Sequence, residues 1–231
     1  MRLRRLGLRI LACGAILAVP AQARAETIDF TGLGHAAVVE VRGLLNARVW
    51  AGEINWVWVG AVPDGFSPSF YTYCVDITNV LIDPQEVTIR SSSDLNPTPD
   101  GGGKAAWLLN SFAPGIRTGG TNAQAAALQV AIWEALYDTA PNLASGSFYL
   151  ASSMTGGSIW TLAGHYLSQL YYAPGTYHVG TAAWLDSTRG QDQITLVPEP
   201  SMLLLLGSGL FLFGRRQPRG SSGVPAPHAK A

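Results

Sequence analysis

Apolar and polar positions alternate through the first third of the chain and pass to helical spacing in the middle third. Ile28, Phe30 and Leu33 mark a short strand within 26–34, and Val38, Val39 and Val41 mark a second within 37–44. At 49–59 the pattern is plainer: Ile54, Trp56 and Trp58 alternate with Asn55, Val57 and Val59, so one face is aromatic and the other partly apolar, as in a buried strand. The segment 70–80 continues the series, with Tyr71, Tyr73 and Val75 on one side and Thr72, Cys74 and Asp76 on the other. A shorter alternation at 86–90 has one polar face, which places it at a sheet edge. An irregular linker follows at 91–103, with two prolines and a triple glycine.

Three helices are expected next. The first, at 104–112, is apolar on most sides and is stopped by Pro114-Gly115. In the second, at 125–137, Thr121 caps the start and Gln124 reciprocates three residues later. At about 100° per residue, Leu128, Ala131, Ile132 and Ala135 centre an apolar arc, with Gln129, Trp133 and Leu136 along its flank. The third helix, at 158–171, carries Ile159, Ala163, Tyr166, Leu167 and Leu170 on its apolar side. Strands return at 176–179 and 191–196, separated by a loop holding Trp184. Strands, then helices, then strands make an α+β domain over 26–196, its helical part at about 104–171.

The two ends read as addresses. Residues 1–25 hold a basic start, an apolar stretch and small residues around Ala23 and Ala25, the layout of a secretory signal peptide cut after Ala25. At the other end Pro198-Glu199-Pro200 precedes a weakly polar to apolar run at 202–214 and then Arg215-Arg216. Crossing a bilayer takes about twenty apolar residues, so this run is a marginal transmembrane anchor whose arginines hold its end on the cytoplasmic side. These parts resemble the PEP-CTERM sorting signal of Gram-negative bacteria, read here over 197–216. The resemblance implies an exosortase-type protease as partner, transient anchoring by the short helix, and delivery to the cell surface or the extracellular matrix. Residues 217–231 are rich in Pro, Gly and Ser and read as a disordered tail.

Charge changes the picture next. The formal net charge is zero, but the body at 26–199 holds six basic and fifteen acidic residues, a net of −9. Backbone recognition of nucleic acid needs clustered cations, so no nucleic-acid partner is expected. No glycine-rich phosphate loop follows a strand, and Asp64, Asp94 and Asp100 lack the spacing of a calcium loop, so neither a cofactor nor a metal is expected.

Removing the leader also removes Cys13, which leaves Cys74 as the single thiol of an exported chain and excludes an internal disulfide. A lone strand cysteine is commonly a small buried hydrophobe, and a glutamine on a helix flank is commonly an exposed helix former. Held in contact and shielded from water, the two can react: sulfur attacks the amide carbon, ammonia leaves, and a thioester remains. That demands a thiolate, fixed geometry, an oxyanion donor and exclusion of water. Asp76, as a nearby anion, raises the thiol pKa and is not its base. A cysteine hydrolase would need a base from His35, His165 or His178, and nothing in the sequence places one of them beside Cys74.

Tyr73-Cys74-Val75-Asp76 and Gln129-Val130-Ala131-Ile132-Trp133, with Asp138 nine residues after Gln129, resemble the motifs of bacterial surface thioester domains, an adhesin family. Residues 104–110 are similar to that family's preceding helix. The resemblance covers about 54–196. It implies a curved antiparallel β-barrel or sandwich with a packed helical subdomain, Cys74 as thiol leaving group, Gln129 as acyl carrier, and Tyr73, Asp76, Trp133 and Asp138 as supporting residues. It further implies covalent capture of an amine on a surface or matrix polymer or protein, with a single turnover and no enzyme activity. The alternative is a non-covalent matrix or binding protein with a free Cys74.

Overall fold

The sheet is built on its two longest strands. A computed structural model describes residues 25–172 and 182–197. In it β1 (Ala25–Gly43) runs antiparallel to β2 (Ala47–Val59), from Thr27 opposite Val59 to Val41 opposite Ala47. The two short strands expected before residue 45 are therefore one. Register shifts at Phe30/Gly32 and Leu33/Ala36 separate their patterns, and Gly32, at φ +133°, takes a backbone conformation that side-chain-bearing residues rarely adopt.

Five short strands complete a seven-stranded antiparallel sheet: β3 (Ser69–Cys74), β4 (Gln85–Ser91), β5 (Phe148–Leu150), β6 (Ala182–Asp186) and β7 (Gln193–Leu196). Their order is β2-β3-β7-β6-β4-β1-β5, and β1 also pairs with β2, so the succession of pairings returns to its start. Three expectations are corrected here. β4 has a neighbour on each side rather than an edge position, because its polar residues are satisfied across the sheet: Arg90 bonds Asp186 at 2.7 Å and lies over the Trp184 ring. Trp184 lies in β6 and not in a loop. The strand expected through residue 80 stops at Cys74, so Asp76 lies beyond it.

Three helices, α1 (Gly101–Gly119), α2 (Asn122–Tyr137) and α3 (Ser158–Tyr172), complete the α+β fold. The triple glycine expected in a linker forms the first turn of α1. A side chain at Gly102 would collide with the carbonyl of Ser92, so glycine lets this turn sit directly on the preceding segment. α1 also continues through Pro114, contrary to expectation. The proline forfeits one helical hydrogen bond, and buried Ala113 and Ile116 hold the last turns on the core.

The capping box of Thr121 and Gln124 starts α2 as expected. Every residue from Ala125 to Leu136 is buried, so the helix is covered on all sides rather than along one arc. It sits between α1 and α3 and against β1 and β2. A second apolar cluster, with Ile28, Trp56, Trp58, Val87 and Leu185, forms apart from this helical core. None of the described helices is long and apolar enough to cross a membrane. Residues 1–24 of the expected leader at 1–25, the strand expected at 176–179, His178 and the apolar run at 202–214 lie outside the described residues.

Candidate functional site

Cys74 is the last residue of β3 and Gln129 lies on α2, 55 residues later in sequence, yet the two side chains line one pocket. The Gln129 carboxamide lies along the Cys74 backbone as a neighbouring strand would. The Cys74 N–H donates to Gln129 Oε1 at 2.8 Å, and Gln129 Nε2 donates to the Cys74 carbonyl at 2.7 Å. Both residues are almost fully buried, Gln129 at 1% exposure. A glutamine buried among Leu128, Ile132 and Trp133 would leave costly unpaired polar atoms, and this pair of hydrogen bonds to the backbone gives each of them a partner.

The same arrangement has chemical content. In any attack on the Gln129 amide carbon, negative charge develops on Oε1, and the Cys74 N–H already points at that oxygen. The thiol is not preionised. Burial pushes its pKa well up, while the Trp133 indole beside it acts in the opposite sense. The buried Trp133 N–H has no hydrogen-bond acceptor among the described residues. The Cys74 sulfur donates to the Asp76 carbonyl at 3.2 Å.

The supporting residues divide by what they touch. Trp133, one helical turn after Gln129, lines the pocket and packs on Phe148 with ring centroids 5.8 Å apart. Tyr73 is fully buried in the core. Asp76 does not share a strand face with Cys74. Its carboxylate instead accepts from the Thr78 N–H at 3.0 Å, the Thr78 hydroxyl at 2.7 Å and the Asn79 backbone and side-chain amides. It thereby shapes the loop that walls the pocket. Asp138 caps the far end of α2 and accepts the N–H groups of Ser147 and Phe148, each at 2.8 Å, which ties β5 and the Phe148 ring to the helix.

Tyr137 was not singled out from the sequence. Its hydroxyl donates to the Val75 carbonyl at 2.8 Å and accepts from the Ile77 N–H at 3.4 Å, clamping the backbone just after Cys74. A signal was present, because Gln129, Trp133 and Tyr137 recur at intervals of four along one side of a helix. Asp192 adds a backbone contact, accepting the Val75 N–H at 3.0 Å.

The pocket has a volume of about 440 Å³ and lies between β1, β2, the loop after β3 and α2. Neither described histidine belongs to it: His35 faces Asn122 across 3.3 Å, and His165 is exposed on α3. Among the described residues no group of acidic, histidine and cysteine side chains is placed to hold a metal.

The chain matches no curated protein and no solved structure. Residues 196–219 match the PEP-CTERM protein-sorting motif, which contains Pro198, Glu199, Pro200, Arg215 and Arg216, all outside the described residues. The chain therefore carries the signal of an exported Gram-negative protein that is processed by an exosortase and sorted to the cell surface or the extracellular space.

Proposed function

We propose that this is an exported surface or matrix protein in which Cys74 and Gln129 form an internal thioester, and that it attaches covalently to an amine-bearing partner. One observation carries the reading: the carboxamide of a buried glutamine is held by both its atoms against the backbone of the only cysteine in the described chain, at the wall of a pocket. In the forming step the thiol sulfur bonds to Gln129 Cδ, the C–N bond breaks, and the thiol proton leaves with ammonia. Rigid seating on β3 and α2 supplies the proximity that replaces an external acyl donor. The Cys74 N–H stabilises the oxyanion, and Trp133 with its apolar neighbours limits water. The strand succession that returns to its start suits a curved barrel with the helices packed beside it, and the leader at 1–25 supplies export. A single turnover consumes the bond, so the protein is a covalent binder and not an enzyme.

A second reading has its own observation. Gln129 is hydrogen-bonded at both its polar atoms by the Cys74 backbone and burial raises the thiol pKa, as befits a non-covalent matrix protein with a free cysteine. Intact mass separates the two. The thioester predicts a protein one ammonia lighter than its sequence, which gains methylamine while Cys74 becomes open to thiol labelling. Full mass, with no change on methylamine treatment, refutes it.

A further inference from the structure

The pocket has a mouth as well as a floor, and the mouth is unusually apolar for an exported protein with an acidic body. Leu33 from β1, Trp50 from β2 and Val80 from the loop after β3 surround it, and they are 40%, 62% and 73% exposed. Large apolar side chains left in water together around one cavity mark a contact surface. Its polar wall is mostly committed to the protein itself. Thr78 and Asn79 bond Asp76, and Gln191 donates to the Asn79 carbonyl. Among the described residues, Arg48 is the one charged side chain of the lining, and no carboxylate lines the pocket. No hydrogen bond or close ion pair holds Arg48 among the described residues. Glu40, opposite it on β1, bonds Arg42 and Ser153 and interacts with Arg48 only at longer range.

These features discriminate among amines. A small or polyvalent cation finds no carboxylate among the described lining residues and is repelled by Arg48. An amine borne on an apolar stem gains from the walls, as a lysine stem does when it lies along apolar surface with its nitrogen extended beyond. A carboxylate carried beside that amine finds Arg48.

We propose that this groove selects the covalent acceptor, with Trp50, Val80 and Arg48 as its specificity residues, and that the acceptor is a protein segment whose lysine is accompanied by a large apolar side chain and a carboxylate. The proposal rests on the thioester reading above. The lysine nitrogen bonds to Gln129 Cδ, the C–S bond breaks, and the proton shed by nitrogen passes to the Cys74 sulfur, which leaves an amide and a thiol.

The test uses the purified full-length chain and three probes at equal concentration. They are an acetylated, amidated peptide whose single lysine is flanked by Leu and Glu, the same peptide flanked by Gly and Ser, and a glucosamine oligomer. Adduct formation is followed by mass. The Leu/Glu peptide is expected to react about tenfold faster than the Gly/Ser peptide, which is what covering roughly half a leucine side chain yields. Trp50→Ala and Arg48→Gln should each lower its rate toward the control, with Val80→Ser as a second variant on the opposite rim. Equal rates for the two peptides, a fastest reaction with the amino-sugar oligomer, or an undiminished preference in both Trp50→Ala and Val80→Ser would overturn the proposal. A starting protein without the ammonia deficit overturns the thioester reading itself, a result recognisable before any probe is added.

Discussion

Replacing either partner of the Cys74–Gln129 pair abolishes a thioester, yet the two losses should differ sharply in stability. Cys74→Ala removes one buried sulfur and leaves the backbone N–H and C=O that hold Gln129 in place. Its cost is that of a small cavity, about 1 kcal/mol. Gln129→Ala instead strips both partners from buried backbone groups, and an orphaned buried polar group costs about 1–3 kcal/mol. Two such groups come to about 2–6 kcal/mol, and because the pocket lets water reach the vacated space the lower end applies, with a further cavity term. Any stabilisation by the cross-link is lost equally in both variants and their cavity terms largely offset, so the difference between them reports mainly the hydrogen bonds. Gln129→Ala is therefore expected to be less stable than Cys74→Ala by at least about 2 kcal/mol. Urea titration followed by the fluorescence of the chain's tryptophans measures this difference. Equal midpoints for the two variants would show that the carboxamide does not hold the Cys74 backbone in solution.

Other consequences follow from single contacts. Tyr137→Phe removes the hydroxyl between Val75 and Ile77 and should cost about 1–3 kcal/mol by urea titration; it should also reduce the fraction of molecules with the ammonia deficit, since the backbone after Cys74 loses its clamp. Thr121→Ala breaks the capping box of α2 and should cost about 1 kcal/mol, with no change in that fraction once the variant is folded. Glu134 is fully buried, and burial pushes its pKa up from 4.5 to about 7. The folded state then holds a proton that the unfolded state releases, so this group's contribution is fully present below about pH 4.5 and is lost as pH rises through about 7, by on the order of 2–3 kcal/mol. Glu134→Gln should remove that slope from urea midpoints measured between pH 5 and pH 8. Replacing Pro198-Glu199-Pro200 by three alanines should leave the chain unprocessed in the membrane fraction, with its tail still attached by mass.

Local signals carried much of this protein. The capping box, the long run from Ala125 without a breaker and the Pro-Glu-Pro motif each depend on residues within a few positions, and each is legible without knowledge of the fold. The pairing of Cys74 with Gln129 is different. No periodicity reports a contact 55 residues apart, and only the resemblance of the flanking motifs suggested it.

Tertiary structure decided where strands end and what polar residues do. Alternation through Asp76 implied a strand that kept Asp76 beside Cys74. The strand stops because α2 takes its hydrogen bonds: Gln129 occupies the Cys74 backbone, and Tyr137 occupies Val75 and Ile77. β4 seemed to need solvent for its polar face until Asp186 and Trp184 supplied partners from β6. By itself the sequence determined the α+β class, the helix that bears Gln129 and the sorting address, because these rest on composition and neighbouring residues. The pocket, the clamp of Tyr137 and the apolar mouth exist only where distant segments meet, since backbone donors and acceptors choose partners by position in space.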